Sequence, residues 1–180
     1  MIPILTSERL TLRGPGPQDV PAITDFYASD RARYVGGPKE EDQAWRQLAA
    51  EIGHWSLRGY GRWMIDVTDT GQTVGMAGLW YPEGWPEPEI GWDLFEGFEG
   101  QGYATEAARA ARDYAQDKLG WQTAISLVNP ENVASARVAM RVEAWLEGAI
   151  DHPRLGHLDL YRHPGPSWDN TDTLAPKGAA

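Results

Sequence analysis

The sequence has no cysteine, which excludes disulfides, zinc–thiolate sites and a cysteine acyl-enzyme intermediate. No apolar run approaches the roughly 18 residues of a membrane span. The start, MIPILTSERL, lacks the basic-then-apolar pattern of a targeting segment. Basic residues are scarce, with 16 Lys and Arg against 26 Asp and Glu, a net charge of −10. Such a surface repels nucleic-acid backbones and anionic membranes and favours cationic partners, amines among them. The expectation is a soluble, cytoplasmic protein with neither nucleic acid nor membrane as its main partner. The four histidines show no metal-ligand spacing, so no metal is expected. They read as structural or surface residues, with His54 and Tyr34 as candidate lining of an acceptor pocket.

The 180 residues, 42% hydrophobic, suffice for one domain with a filled core. Nine tryptophans are many for this length, and some are expected to line a pocket. Alternation marks strands over 9–13, 62–67, 73–81, 89–95, 123–128, 144–150 and 157–162. Helical spacing marks 19–28, 40–58, 103–119 and 132–141, with Trp45, Leu48, Ile52 and Trp55 forming the apolar stripe of the second. Residues 31–38 read as a loop. The body is placed at 1–163, and the Pro-rich tail 164–180 is expected to dock through Trp168 if it docks at all.

The segment FEGQGYATEAARAARDYA (98–115) puts two glycines just before an alanine-rich helix. Without Cβ atoms, Gly100 and Gly102 let the backbone approach a ligand, and the free amides of 101–105 point the same way at a helix N-terminus, as an anion site requires. A plain strand-to-helix turn is the alternative. No lysine follows, which excludes a P-loop, and the next strand ends LVNP rather than in the acidic residue of a dinucleotide fingerprint. Glu106, in the first turn, reads as a carboxylate complementing the helix dipole.

EIGWDLFEGFEGQGYATEA (89–107) followed by NPENVASARVAMRVEAWLEG (129–148) resembles the GNAT superfamily of N-acetyltransferases, in its RimJ/RimL-like ribosomal-protein branch. The opening TSERLTLR and the closing LDLYR extend the resemblance over about 6–162. It implies an α+β, three-layer αβα fold with a mostly antiparallel sheet and one splayed parallel strand pair. It also implies acetyl-CoA as co-substrate and direct transfer to a primary amine, on a protein N-terminus or a small molecule. The pyrophosphate would lie on the main chain of Gln101, Gly102, Tyr103, Ala104 and Thr105, and the pantetheine arm beside Trp92, Asp93 and Leu94. Three positions depart from the family pattern: Glu99 where Arg, Gln or an aromatic is usual, Ala139 where many members carry a tyrosine acid, and Glu143 in place of a glycine. They keep open a second reading, a catalytically silent coenzyme-A-binding or protein-interaction domain.

Acyl transfer to an amine needs a base, a polarised thioester and a proton for the thiolate. Glu89, Gly91 and Asp93 share one strand face, and Glu89, matching the family's strand glutamate, is the expected base, with Asp93 in reserve. A solvated strand-end carboxylate is the alternative reading of Glu89. Asn132, Ser135 and Ala139 fall on one helix face. Ser135 is the expected thiolate acid, and Asn132 either contacts cofactor or caps the helix. Arg137, with Arg141, is a candidate partner of the ribose phosphate. An α-amino group near pKa 8 costs about 1 kcal/mol to deprotonate at pH 7 and a lysine about 4–5, so a lone carboxylate suits the former better.

Overall fold

The computed structural model describes residues 1–166; Trp168 lies outside the described residues. Strands β1 (Leu5–Thr6), β2 (Leu10–Arg13), β3 (Arg62–Val67), β4 (Thr73–Trp80), β5 (Glu89–Leu94), β6 (Ala124–Val128), β7 (Trp145–His152) and β8 (Gly156–His163) form one sheet. Its order is β1-β2-β3-β4-β5-β6-β8-β7. All neighbours are antiparallel except β5 and β6. Four α-helices accompany it: α1 (Val20–Ala28), α2 (Glu41–Arg58), α3 (Tyr103–Leu119) and α4 (Val133–Arg141). No described helix is long and apolar enough to cross a membrane.

The two-residue period of β3 and β4 divides the core between the faces of the sheet. Met64 and Met76 meet Ile23, Phe26 and Tyr27 of α1 and Ala44 and Leu48 of α2. Their neighbours Trp63, Ile65 and Ala77 meet Ala107, Ala108, Ala111 and Ala115 of α3. Those four alanines are at most 1% exposed, and their small side chains let α3 lie close on β4 and β5.

The elements depart from expectation in four places. A short strand, β1, pairs with β2, and part of the expected loop 31–38 is a 3-10 helix over Asp30–Tyr34. The buried face of α2 is Ala44, Leu48, Glu51, His54 and Trp55, while Trp45 and Ile52 are 57% and 37% exposed. The helix is turned from the expected stripe because two polar residues find partners inside. Glu51 accepts from Gln47 Nε2 at 3.2 Å and pairs with Arg62 at 3.5 Å. His54 Nδ1 meets the Tyr60 carbonyl at 2.7 Å while Nε2 accepts the Tyr81 amide at 2.9 Å. Both ring nitrogens of His54 are thereby met, while Glu51 is held through Oε1 alone and its Oε2 is buried without a hydrogen-bond partner. Finally, Ala139 packs beneath α4 with Val128, Ala144 and Tyr161, so a bulky tyrosine there would have no room.

Glu143 keeps the left-handed conformation, φ 69°, that glycine would favour, and its carboxylate pairs with Arg112 at 3.0 Å. The turn after α4 therefore survives the substitution.

The close approach of α3 sets a steric limit. Ala111→Leu is expected to lower stability by roughly 1–3 kcal/mol, read as a shift of the urea midpoint at unchanged slope. An unchanged midpoint would show that α3 is loosely seated.

Candidate active site

β5 and β6 run parallel but pair at a single register, Glu89 with Ile125, where the Ile125 amide donates to the Pro88 carbonyl at 2.9 Å. Beyond it the strands part, and side chains take over the bonds that a ladder would have made. The Leu127 amide donates to Glu89 Oε1 at 3.0 Å, and the Ser126 hydroxyl donates to the Ile90 carbonyl at 2.5 Å. Because Ile90 turns its carbonyl to the gap, the two-residue period turns the main-chain polar groups of Trp92 there too.

The gap opens into a continuous cleft of about 1750 Å³. It is lined by Gly100, Gln101, Gly102, Ala104 and Thr105 of the glycine turn, by Trp92, Asp93, Leu94, Asn132, Ser135 and Arg137, and by Glu89, Trp85, Tyr27, Tyr34 and His152. Of the expected site residues only Tyr103 has its side chain elsewhere, against the core cluster and under the Arg9 guanidinium. His54 is a structural residue, stacked on Trp80.

The glycine turn has the form of an anion cradle. Gly102 is the N-cap of α3 at φ 85°, a conformation open to glycine, and α3 presents its first-turn amides beyond it. Two arginines that nothing in their local sequence marks flank the turn. Arg9 donates from Nη1 to the Gln101 carbonyl at 3.0 Å and pairs with Glu106 at 2.7 Å. Arg31, from the 3-10 helix, donates from Nε and Nη2 to the Leu94 carbonyl, at 3.2 and 3.1 Å, and pairs with Glu99. The carboxylate of Glu99 is thus neutralised by a partner 68 residues away in sequence. These open amides and paired charges fit a pyrophosphate.

Asn132 is a cap, its Oδ1 accepting the Ser135 amide at 3.2 Å, and it also lines the cleft. Ser135 Oγ accepts Trp92 Nε1–H at 3.0 Å, which leaves the hydroxyl hydrogen available to the cleft.

Glu89 is 8% exposed. Its Oε2 accepts Trp85 Nε1–H at 2.7 Å and its Oε1 the Leu127 amide. Burial pushes its carboxyl up to about 7, against the pull of those two hydrogen bonds. Asp93, the reserve base, is engaged in an ion pair, because Arg62 bridges it to the fully buried Glu51. Beneath Trp92, His163 Nε2 lies 2.8 Å from Ser126 Oγ. The hydroxyl hydrogen is given to Ile90, so the imidazole donates, and burial keeps it neutral, its pKa pushed down to about 3. Ser126 and Arg9 are site residues that sequence reasoning missed, while Trp85 and Arg31 lie in the stretches 81–89 and 31–39 that the sequence marks as facing an acceptor without giving either residue a role. The tryptophan surplus pointed to no position.

A profile of the acetyltransferase (GNAT) domain matches residues 9–144. An acetyltransferase structure from Agrobacterium tumefaciens is 41% identical, with TM-score 0.84 over 91% of this chain and 95% of its own. The YkkB protein of Bacillus subtilis is 31% identical over 148 residues, 77% of this chain and 83% of its own length. RimL, a ribosomal alpha-N-protein acetyltransferase solved in complex with coenzyme A, is 22% identical and shares the fold at TM-score 0.71, over 90% of this chain and 98% of its own.

The hydrogen bond from Trp85 stabilises the ionised form of Glu89, so its loss raises the carboxyl further. Trp85→Phe is expected to move the acid limb of the kcat/KM pH profile upward by roughly half to one unit, with the alkaline plateau changed far less. An unmoved limb would separate Trp85 from the titrating group.

Proposed function

The chain belongs to the GNAT acetyltransferase family, and we propose that it moves the acetyl group of acetyl-CoA directly to a primary amine bound beside Glu89. The observation that carries this reading is a buried carboxylate with pKa near 7 on the wall of the cleft that runs to the glycine turn. A base so poised is half ionised at neutral pH and still basic enough to take a proton from an ammonium group.

Acetyl-CoA supplies the acyl group already activated as a thioester. The protein's share is placement and proton transfer. The amides after Gly102 face the pyrophosphate, and the main chain of Trp92 in the gap lines the pantetheine arm. Glu89 takes the ammonium proton, directly or through water, and leaves a neutral nucleophile. As the C–N bond forms and the C–S bond breaks, the nitrogen's second proton passes to the departing sulfur, with Ser135, held by Trp92, hydrogen-bonding the thiolate and relaying that proton. This last role is minor, because a thiol of pKa about 8.5 leaves readily as its anion.

Activity is favoured over the silent-domain reading at the positions that depart from the family pattern. Glu99 is paired with Arg31, Ala139 packs away from the cleft, and Glu143 holds the left-handed turn. RimL acts on a ribosomal protein, and for this chain the acceptor is a protein N-terminus or a small amine.

Glu89→Gln is expected to lower kcat by roughly 10²–10³ at neutral pH, with much of the loss recovered as rising pH frees the amine. A loss equal at every pH would recast Glu89 as an acceptor-binding charge. Gly102→Val is expected to weaken acetyl-CoA binding at least about tenfold in calorimetry, since the side chain strains a left-handed N-cap and crowds the cradle. Equal binding would remove the glycine turn from the cofactor site.

A further inference from the structure

The acceptor end of the cleft carries a charge pattern that the chemistry above does not use. Its interior holds three buried carboxylates, Glu51, Asp93 and Glu89, against one buried guanidinium, Arg62. Two cations stand at its rim, Lys39 and Arg154. Lys39, half buried, lies with Nζ 4.6 Å above the Tyr27 ring and donates to the Gly36 carbonyl at 2.8 Å. The turn between β7 and β8 leans over the same loop: a Cβ on Gly36 would stand 3.4 Å from both Leu155 Cδ2 and Lys39 Nζ. That turn also brings Arg154 to the cleft.

Among the described residues, neither Lys39 nor Arg154 makes a salt bridge, although the chain is strongly acidic and most of its arginines are paired. Both come from loops that meet at Gly36, whose carbonyl takes the Lys39 ammonium and against which Leu155, next to Arg154, is packed. Burial and the nearby Arg154 both press on the Lys39 ammonium and lower its pKa, while Asp93 pulls the other way. With Lys39 partly desolvated and Arg154 exposed beside it, an anion that joins the two offsets their mutual repulsion.

We infer that Lys39 and Arg154 form an anion subsite of the acceptor pocket, and that the acceptor is a small primary amine that also carries a carboxylate or phosphate. This inference rests on the acetyltransferase reading and deepens it. The amine lies at Glu89 and the anionic group at the rim. Asp93 is within electrostatic reach of both Lys39 and Glu89. A zwitterion so oriented meets opposite charge at each end. A polyamine would place its second cation against Lys39 and Arg154, and a neutral amide would leave both uncompensated.

The test uses the full chain with three matched series: amino acids, their amides, and aminoalkyl phosphates of the same length. The expected result is kcat/KM at least about tenfold higher for carboxylates or phosphates than for amides, mostly through KM. The carboxylate and phosphate series tell which anion is preferred. In Lys39→Gln/Arg154→Gln that ratio is expected to fall about tenfold. A ratio near one in the wild type, or one unmoved by the double substitution, overturns the inference. So does acetylation confined to peptides.

A second measurement does not depend on turnover: calorimetric titration with an N-acetylated amino acid and with its amide, on the wild type and the double variant. Binding of the acid alone, lost in the variant, supports the anion subsite even if no amine is acetylated, in which case the acetylation reading is what fails. Equal binding of acid and amide, or binding of neither, overturns the subsite.

Discussion

Parting two strands of one sheet is costly, because each main-chain group removed from the ladder must find another partner or water. The structure does this at one place, between β5 and β6, and the site is organised around it. Pairing stops after Glu89 and Ile125, and the next three groups are met from within: the Leu127 amide by a carboxylate, the Ile90 carbonyl by a hydroxyl, and that hydroxyl by an imidazole. The groups of Trp92, one period further on, are left facing the gap, where an extended ligand arm would pair as a strand does. Glu89 is therefore both wedge and candidate base. Its place in the wedge explains its burial, and its burial explains its raised pKa.

The glycine turn shows how charge is arranged around a main-chain site. An acidic residue two positions after Gly97 would repel a pyrophosphate, yet Arg31 holds Glu99 and the end of β5 at once. Arg9 does the same from the other side, tying β2 to the first turn of α3 through Glu106. Both arginines leave the amides of the turn uncovered. The cradle is thus shaped by side chains whose hydrogen bonds go to the protein itself.

Much of this was legible in sequence. The alanine stripe of α3, the glycines before it and the motif after β5 mark a close-packed helix opening an anion site, and the structure has that helix at Tyr103–Leu119. Strand periods placed Glu89, Gly91 and Asp93 on one face. What could not be read was which polar residues are satisfied at long range. The stripe expected from sequence includes Trp45 and Ile52 and leaves out Glu51 and His54; only Arg62 and the Tyr60 and Tyr81 main chain make the opposite choice possible. The individual contacts of Trp85 and Arg31, within stretches expected only to face an acceptor, were hidden for the same reason. Their roles are contacts made by a loop and a short 3-10 helix, neither of which has a period.

The buried ions of the acceptor end fit together once Arg62 is followed. Its guanidinium is held charged by Asp93 and Glu51, against the cost of burial, and two carboxylates take up its charge. Had Arg62 been free to face Glu89, it would have drawn that carboxyl down toward its ordinary range and left a weak base. Its residual pull on Glu89 is opposed by Asp93, so desolvation prevails and the carboxyl stays near 7. Glu51, buried on a helix face that sequence pattern assigns to solvent, shares this arginine with Asp93, although burial also raises its own carboxyl.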